Sequence, residues 1–249
     1  MKNYLAKNLS YFKSMLNRYL SCISLKLERI NVETDFGFLV SKTLEHSHCD
    51  LVIDVGANEG QFGSLLRTRG YKGPIVSFEP LLSAHRALTL TAGRHNDWNV
   101  TKPLAIGADV GEANINVSKN SVSSSLLEMH ETHAAAETSS GYIGSQTTKV
   151  LPLDHFMDIF EPYNSIYLKI DTQGSEMAVL NGARHLLEKV AFIQLEVSFV
   201  ELYLNQCLYK DINSWMEQNG FSIWSFDRGF TDRSTGRSLQ ADAVYKKDI

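Results

Sequence analysis

The chain has 249 residues, a formal net charge of −4, and 43% hydrophobic against 21% charged residues. This make-up suits one large α/β domain with a sizeable core and excludes extensive disorder. The acidic balance removes the electrostatic basis of nonspecific nucleic-acid binding, so no nucleic-acid partner is expected. Cys22, Cys49 and Cys207 have neither disulfide-framework nor zinc-site spacing, which points to a reducing, cytoplasmic setting. No stretch approaches the roughly 20 apolar residues of an integral membrane segment.

At the start of the chain, Leu5, Leu9, Phe12, Leu16, Tyr19, Ile23 and Leu27 recur at helical spacing among Lys2, Lys7, Lys13, Arg18, Lys26 and Arg29. The pattern predicts a basic amphipathic helix. Residues 1–45 are expected to form an N-terminal helical extension, with the main domain over 46–249. The apolar face is expected against that domain or a homodimer mate; a peripheral membrane surface or a partner protein is the alternative.

From residue 51 onward, short apolar runs alternate with helical patterns. The runs cover 51–55, 75–78, 100–106, 166–170, 192–197, 221–226 and 241–245. They predict an α/β fold, a doubly wound, mostly parallel seven-stranded sheet covered on both faces. Between the third and fourth runs, 109–111 reads as a turn and 114–118 as an extra strand. The tract 118–145, rich in Ser, Thr, Ala and His, reads as a mobile loop or short helices serving as a lid or substrate loop.

The strongest local signal is Asp54-Val55-Gly56-Ala57-Asn58-Glu59-Gly60, a buried strand running into a glycine turn before a helix. Glycine lets backbone approach a ligand closely, and Asn58 tolerates the left-handed region. Asp54 suits a positively charged ligand and would repel a pyrophosphate, so a sulfonium amino-acid cofactor is favoured over a dinucleotide. The dinucleotide fingerprint fails, because Asn58 stands where its second glycine should be and Gly60 and Gly63 do not repair it. Ser77-Phe78-Glu79-Pro80 then places Glu79 at the end of the next strand, where a carboxylate can accept both ribose hydroxyls of an adenosine. The third signal, Asp171-Thr172-Gln173-Gly174-Ser175-Glu176, repeats the strand–acid–glycine pattern. The fourth strand of such a sheet lies beside the first, so Asp171 should face the same crevice as Asp54 and Gly56. Asp171, His155 or another histidine of the insert is a candidate general base for an attacking hydroxyl; Asp171 as a helix cap or cofactor contact is the other reading. His46 and His48, and His130 and His133, lack an arranged set of carboxylates, so no metal is expected.

Together these segments, with Leu180-Asn181-Gly182-Ala183, Val150-Leu151-Pro152-Leu153-Asp154 and Ser123-Ser124-Ser125-Leu126, resemble the FkbM family of S-adenosylmethionine-dependent methyltransferases. The resemblance covers roughly 50–199 and runs on toward the C-terminus, and it implies a class I, Rossmann-like methyltransferase fold whose last strand is antiparallel. It implies S-adenosyl-L-methionine as cofactor and methyl transfer to oxygen, with a sugar, glycan or related small metabolite as acceptor. Carried over by position, Asp54, Gly56, Asn58 and Gly60 would surround the methionine part of the cofactor, Glu79 its ribose, and Asp171 the methyl group. Many members carry a glutamate where this chain has Gln173. Glu196 is expected near the acceptor or satisfied within its own strand–loop junction. A nicotinamide-dependent oxidoreductase and a noncatalytic module docking a partner enzyme are the competing readings; the first lacks a Tyr-x-x-x-Lys pair.

Overall fold

The computed structural model describes residues 12–248. In chain order its elements are a helix over residues 12–20 (α1), α2 (Phe36–His46), β1 (Leu51–Val55), α3 (Gln61–Thr68), β2 (Ile75–Phe78), α4 (Leu82–Ala92), β3 (Trp98–Val100), β4 (Ala105–Ile106) and β5 (Gly111–Ser118). There follow α5 (Glu131–Ala136), β6 (Tyr142–Leu151), α6 (Met157–Phe160), β7 (Ile166–Ile170), α7 (Glu176–Asn181), β8 (Val190–Ser198), α8 (Tyr209–Gln218), β9 (Phe221–Arg228) and β10 (Gln240–Lys247). Seven strands form one sheet in the order β3-β2-β1-β7-β8-β10-β9. The first five are parallel, while β10 pairs antiparallel with both β8 and β9. The central strands β1 and β7 are buried at every residue, which is why they read as unbroken apolar runs rather than alternating ones.

Alternation across the sheet sorts side chains into two layers. Ile53, Leu168, Ile193 and Ala243 face the layer that includes Val179, Leu180, Ile212 and Met216 of α7 and α8. Val52, Tyr167, Phe192 and Val244 face Val40, Leu44, Leu66 and Leu88 of α2, α3 and α4. Asp54, Lys169 and Gln194 are in register with one another on this second face, one step nearer the carboxyl ends of the strands.

One expectation changes, and a second gains detail. The predicted third strand, 100–106, divides in two: residues 98–100 pair with β2, while β4 leaves the sheet and pairs with β6. Pro103, between the pieces, has no N–H for a ladder. The tract 118–145, expected as a mobile loop or short helices, contains short helices and is bounded by two paired strands. The antiparallel pair β5 and β6, with β4, makes a second, three-stranded sheet, and the chain between them carries α5 and a bridge from Asn116 to Ser125.

At the N-terminus, Leu5 and Leu9 of the predicted amphipathic helix lie outside the described residues. No residue of 12–34 is buried, so this described part does not pack into the core. The last turns of the expected 1–45 extension do: α2 contributes Val40 and Leu44 to the core. Asp35 caps α2 by accepting from the Phe38 N–H (2.7 Å) and accepts a bidentate pair of hydrogen bonds from Nε and Nη2 of Arg69 at the α3 end. Among the described residues no helix is long and apolar enough to cross a membrane.

The tightest backbone approach is at Gly56 (φ +76°), where a Cβ would lie 1.8 Å from the Asp171 carbonyl oxygen. Neither backbone can yield without separating β1 from β7. Gly56→Ala should therefore cost at least about 3 kcal/mol, lowering the melting temperature by roughly 6–12 °C in a thermal unfolding scan.

Candidate functional site

The carboxyl ends of β1, β2 and β7 open into a cavity of about 360 Å³, within the range of small-molecule sites. Phe36, Phe62 and Leu65 wall one side; Leu104, Ile106 and residues 121–126 wall the other. The β1–α3 turn forms the floor. Gly56 and Asn58 (φ +47°) both take left-handed conformations, and the N–H groups of Gly56 and Ala57 donate to the Phe78 carbonyl at 3.0 Å each. That ties the turn to the end of β2.

Just beyond, Glu79 reaches back into the same turn. Its Oε2 accepts from the Asn58 N–H and its Oε1 from the Leu81 N–H, both at 2.8 Å. Burial pushes its pKa up to about 7, against the opposing effect of these two donors. Each oxygen keeps a lone pair for a further donor.

Lys169 occupies the wall between the two central strands. Its ammonium lies 3.0 Å from Asp54 Oδ1 and 3.4 Å from Asp171 Oδ2, donates to the Gly56 carbonyl (3.2 Å), and sits 5.7 Å from the Phe62 ring centroid. Burial works against the charge, but the Asp54 and Asp171 carboxylates outweigh it and hold the pKa above the usual lysine value. Asp54 is fully buried. Although the ammonium is 3.0 Å away, neither carboxylate oxygen receives a well-aligned hydrogen bond.

The β7–α7 turn presents Asp171 with its side chain 34% exposed. Glu176, at the start of α7, closes this turn: its Oε1 accepts from the N–H groups of Thr172 (3.0 Å) and Gly174 (3.1 Å). Gln173 is held in the left-handed region (φ +54°), which is uncommon for a side chain of its size. Its amide is fully used. Nε2 donates to Asp171 Oδ1 (2.7 Å) and Glu196 Oε2 (2.8 Å), and Oε1 accepts from the Tyr203 hydroxyl (2.8 Å). Gln240 donates to the same Glu196 oxygen at 2.8 Å. Burial, with repulsion from Asp171, Asp242 and Glu176, pushes the Glu196 carboxyl well above the usual carboxylate range. Ser125 Oγ donates to the Gln173 carbonyl (2.6 Å), fastening residues 121–126 over the cavity.

A family model described as the methyltransferase FkbM domain matches residues 54–223. The chain belongs to this family. Its sheet order and antiparallel β10 are those of the class I methyltransferase fold that the family resemblance implied. No curated protein matches the sequence at a significant level. Similar solved structures include a magnesium protoporphyrin IX methyltransferase from Synechocystis PCC 6803 with bound SAM, at 12% identity, covering 96% of this chain and 94% of that one with a TM-score of 0.46. Another is a ribosomal protein L11 methylase from Lactobacillus delbrueckii subsp. bulgaricus, at 11% identity, 90% and 82% coverage and a TM-score of 0.44. A third is an rRNA methylase from Streptococcus thermophilus, at 8% identity, 85% and 95% coverage and a TM-score of 0.43.

The FkbM methyltransferase uses S-adenosylmethionine as its methyl donor. The cavity suits such a cation. Its wall carries Glu79, Asp171 and Asp242, and the ammonium of Lys169 is already engaged by carboxylates.

The structure brings Gly56, Asn58, Glu79 and Asp171 together around the cavity. Three other predicted site residues are placed elsewhere. Asp54, expected against the cofactor, lies behind the wall and meets Lys169 instead. Gly60 (φ +90°) serves the helix entry, with Leu88 and the Trp98 ring 3.0–3.3 Å from where its Cβ would be. His155 is exposed on a 3-10 turn, with its ring against Phe156, outside the cavity lining. Sequence reasoning overlooked Lys169, Gln194 and Asp242. Lys169 had a usable signal, since a lysine inside the apolar run 166–170 requires a buried partner.

Lys169→Met should leave Asp54 as an uncompensated buried charge and destabilise the protein by about 3–5 kcal/mol in denaturant titration. The double variant Asp54→Leu/Lys169→Met should recover much of that loss.

Proposed function

We propose that this methyltransferase works in the cytoplasm on a hydroxyl oxygen of a sugar, glycan or related small metabolite. The observation that carries the reading is the Asp171 carboxylate, partly exposed at the cavity and fixed by Lys169 and Gln173. Methylating a hydroxyl requires removal of its proton, and an oriented carboxylate within hydrogen-bond reach provides the base. The end of β7 reads Asp171-Thr172-Gln173-Gly174, without the Asp/Asn-Pro-Pro-Tyr segment associated with amino-group methylation. Carboxylates in the wall disfavour a phosphate-rich acceptor, which supports a neutral polyhydroxyl compound over a nucleic acid.

When bound, S-adenosylmethionine supplies an electrophilic methyl group on a sulfonium. The protein's own part is binding, alignment and proton removal. Gly56, Ala57 and Asn58 cradle the amino-acid end with backbone, and Glu79 accepts the ribose hydroxyls. Asp171 orients the acceptor oxygen and takes its proton. Phe36, Phe62 and residues 121–126 exclude water from the cavity, and alignment of this kind is worth on the order of 7–11 kcal/mol.

The direct test incubates the protein with methyl-labelled donor and separate pools of neutral oligosaccharides, RNA and peptides. Label should enter the sugars as alkali-stable ethers; label entering RNA or peptide amines instead would overturn the assignment. Asp171→Asn should lower kcat by at least about 10²-fold, while S-adenosylhomocysteine affinity changes by less than about threefold, as read by calorimetry.

Glu79 gives a second, pH-resolved test. Its pKa in the fold is about 7 against an ordinary 4.5, so the folded protein holds this proton more tightly than the unfolded chain. The carboxyl's contribution to stability is therefore lost as pH rises from 4.5 through about 7. Accepting two ribose hydroxyls favours the ionised form. Affinity for S-adenosylhomocysteine should accordingly rise with pH up to about 7 and level off, and Glu79→Gln should flatten that profile.

A further inference from the structure

Among the described residues, exposed apolar side chains concentrate on residues 12–32, including Phe12, Met15, Tyr19, Ile23, Leu25 and Leu27. Tyr19 is 70% exposed and Ile23 66%. At about 100° per residue, Phe12, Met15, Leu16, Tyr19 and Leu20 fall on one arc of α1 about 140° wide. Lys13 and Arg18 stand at its two edges.

The segment is a two-armed hairpin rather than a lone helix. A 3-10 turn over Ser21–Ile23 and a left-handed Ser24 (φ +57°) reverse the chain. Asn17 then clasps the returning arm, its Nδ2 donating to the Leu27 carbonyl (2.9 Å) and its Oδ1 accepting from the Leu27 N–H (2.6 Å). This holds Leu25 and Leu27 beside α1, together with Lys26 and Arg29. The acidic Glu28 of this arm is paired with Lys26.

Charge is segregated along the chain. Residues 1–32 carry six basic side chains and one acidic, a net +5, so the rest of a chain totalling −4 carries −9. We propose that this hairpin docks the enzyme on an anionic lipid surface. The apolar arc enters the boundary between headgroups and acyl chains, and the long stems of Lys13 and Arg18 let their charges reach the headgroups. The acidic body is repelled by the same surface, so the hairpin alone faces the lipid.

The test is cosedimentation of the full chain with phosphatidylcholine vesicles, with and without phosphatidylserine. The protein should pellet with the anionic vesicles alone, and added salt should release it. Lys13→Glu and Arg18→Glu should each weaken binding by at least about fivefold. Tyr19→Asp/Ile23→Asp should stay in the supernatant while keeping wild-type affinity for S-adenosylhomocysteine, which separates loss of docking from loss of fold. Equal sedimentation with both vesicle types, or with neither, would overturn the proposal. So would a wild-type dimer in light scattering that Tyr19→Asp/Ile23→Asp converts to monomer without lipid, because a second copy would then cover the face.

Discussion

The site depends on one buried ammonium. Parallel pairing aligns β1 and β7 along their length, but it does not specify where the chain goes after each strand ends. Lys169 does, by meeting Asp54 on β1, the Gly56 carbonyl in the turn beyond it and Asp171 after β7. The two turns are thereby drawn close enough for the Gly56 backbone to lie against the Asp171 carbonyl, a spacing that leaves no room for a side chain. A buried ion pair contributes little net stability, since desolvation offsets most of the attraction. Here its effect is positional, because it fixes where the glycine turn and the candidate base stand relative to each other.

That arrangement divides the sheet's second face in two. Toward the amino ends of the strands, Val52, Tyr167, Phe192 and Val244 pack against helices. One step on, Asp54, Lys169 and Gln194 form a polar row. The Gln194 amide donates to Asp242 and its oxygen accepts from the Tyr167 hydroxyl. The row is therefore joined by hydrogen bonds both to the cavity wall and to the packed layer below. Carboxylates, amides and aromatic edges meet at one depth in a cavity otherwise walled by apolar groups.

The sequence made the strand–turn–helix units legible because each carries its own signal: an apolar run, an acid at its end and a glycine or proline after it. Asp171, Glu79, Gly56 and Asn58, singled out by that signal, line the cavity. Asp54 and Gly60 share the motif but not the orientation. A residue's place in a turn does not reveal whether its side chain meets the cavity or a neighbouring strand. His155 was proposed on its chemistry alone, with no pattern tying its turn to the crevice. The third strand was misread because Val100 and the run Leu104-Ala105-Ile106 were joined across Thr101-Lys102-Pro103, the break at which the chain passes to a different sheet. Gln194 and Asp242 stand on strands far apart in sequence, so their meeting depends on the strand order. The structure of 118–145 depends on a pairing between β5 and β6 that no local pattern announces.

Gln173 carries a consequence for what the family can exchange at this turn. Its amide gives one N–H to each of two carboxyl groups and accepts one hydrogen bond from a phenol. A glutamate at this position has the same length but brings no N–H. Asp171 and Glu196 would lose their shared donor, and a third carboxyl group would stand between them. A homologue with glutamate here would thus need another donor to hold its base in place, whereas in this chain the one amide joins the β7–α7 turn to β8 and to Tyr203.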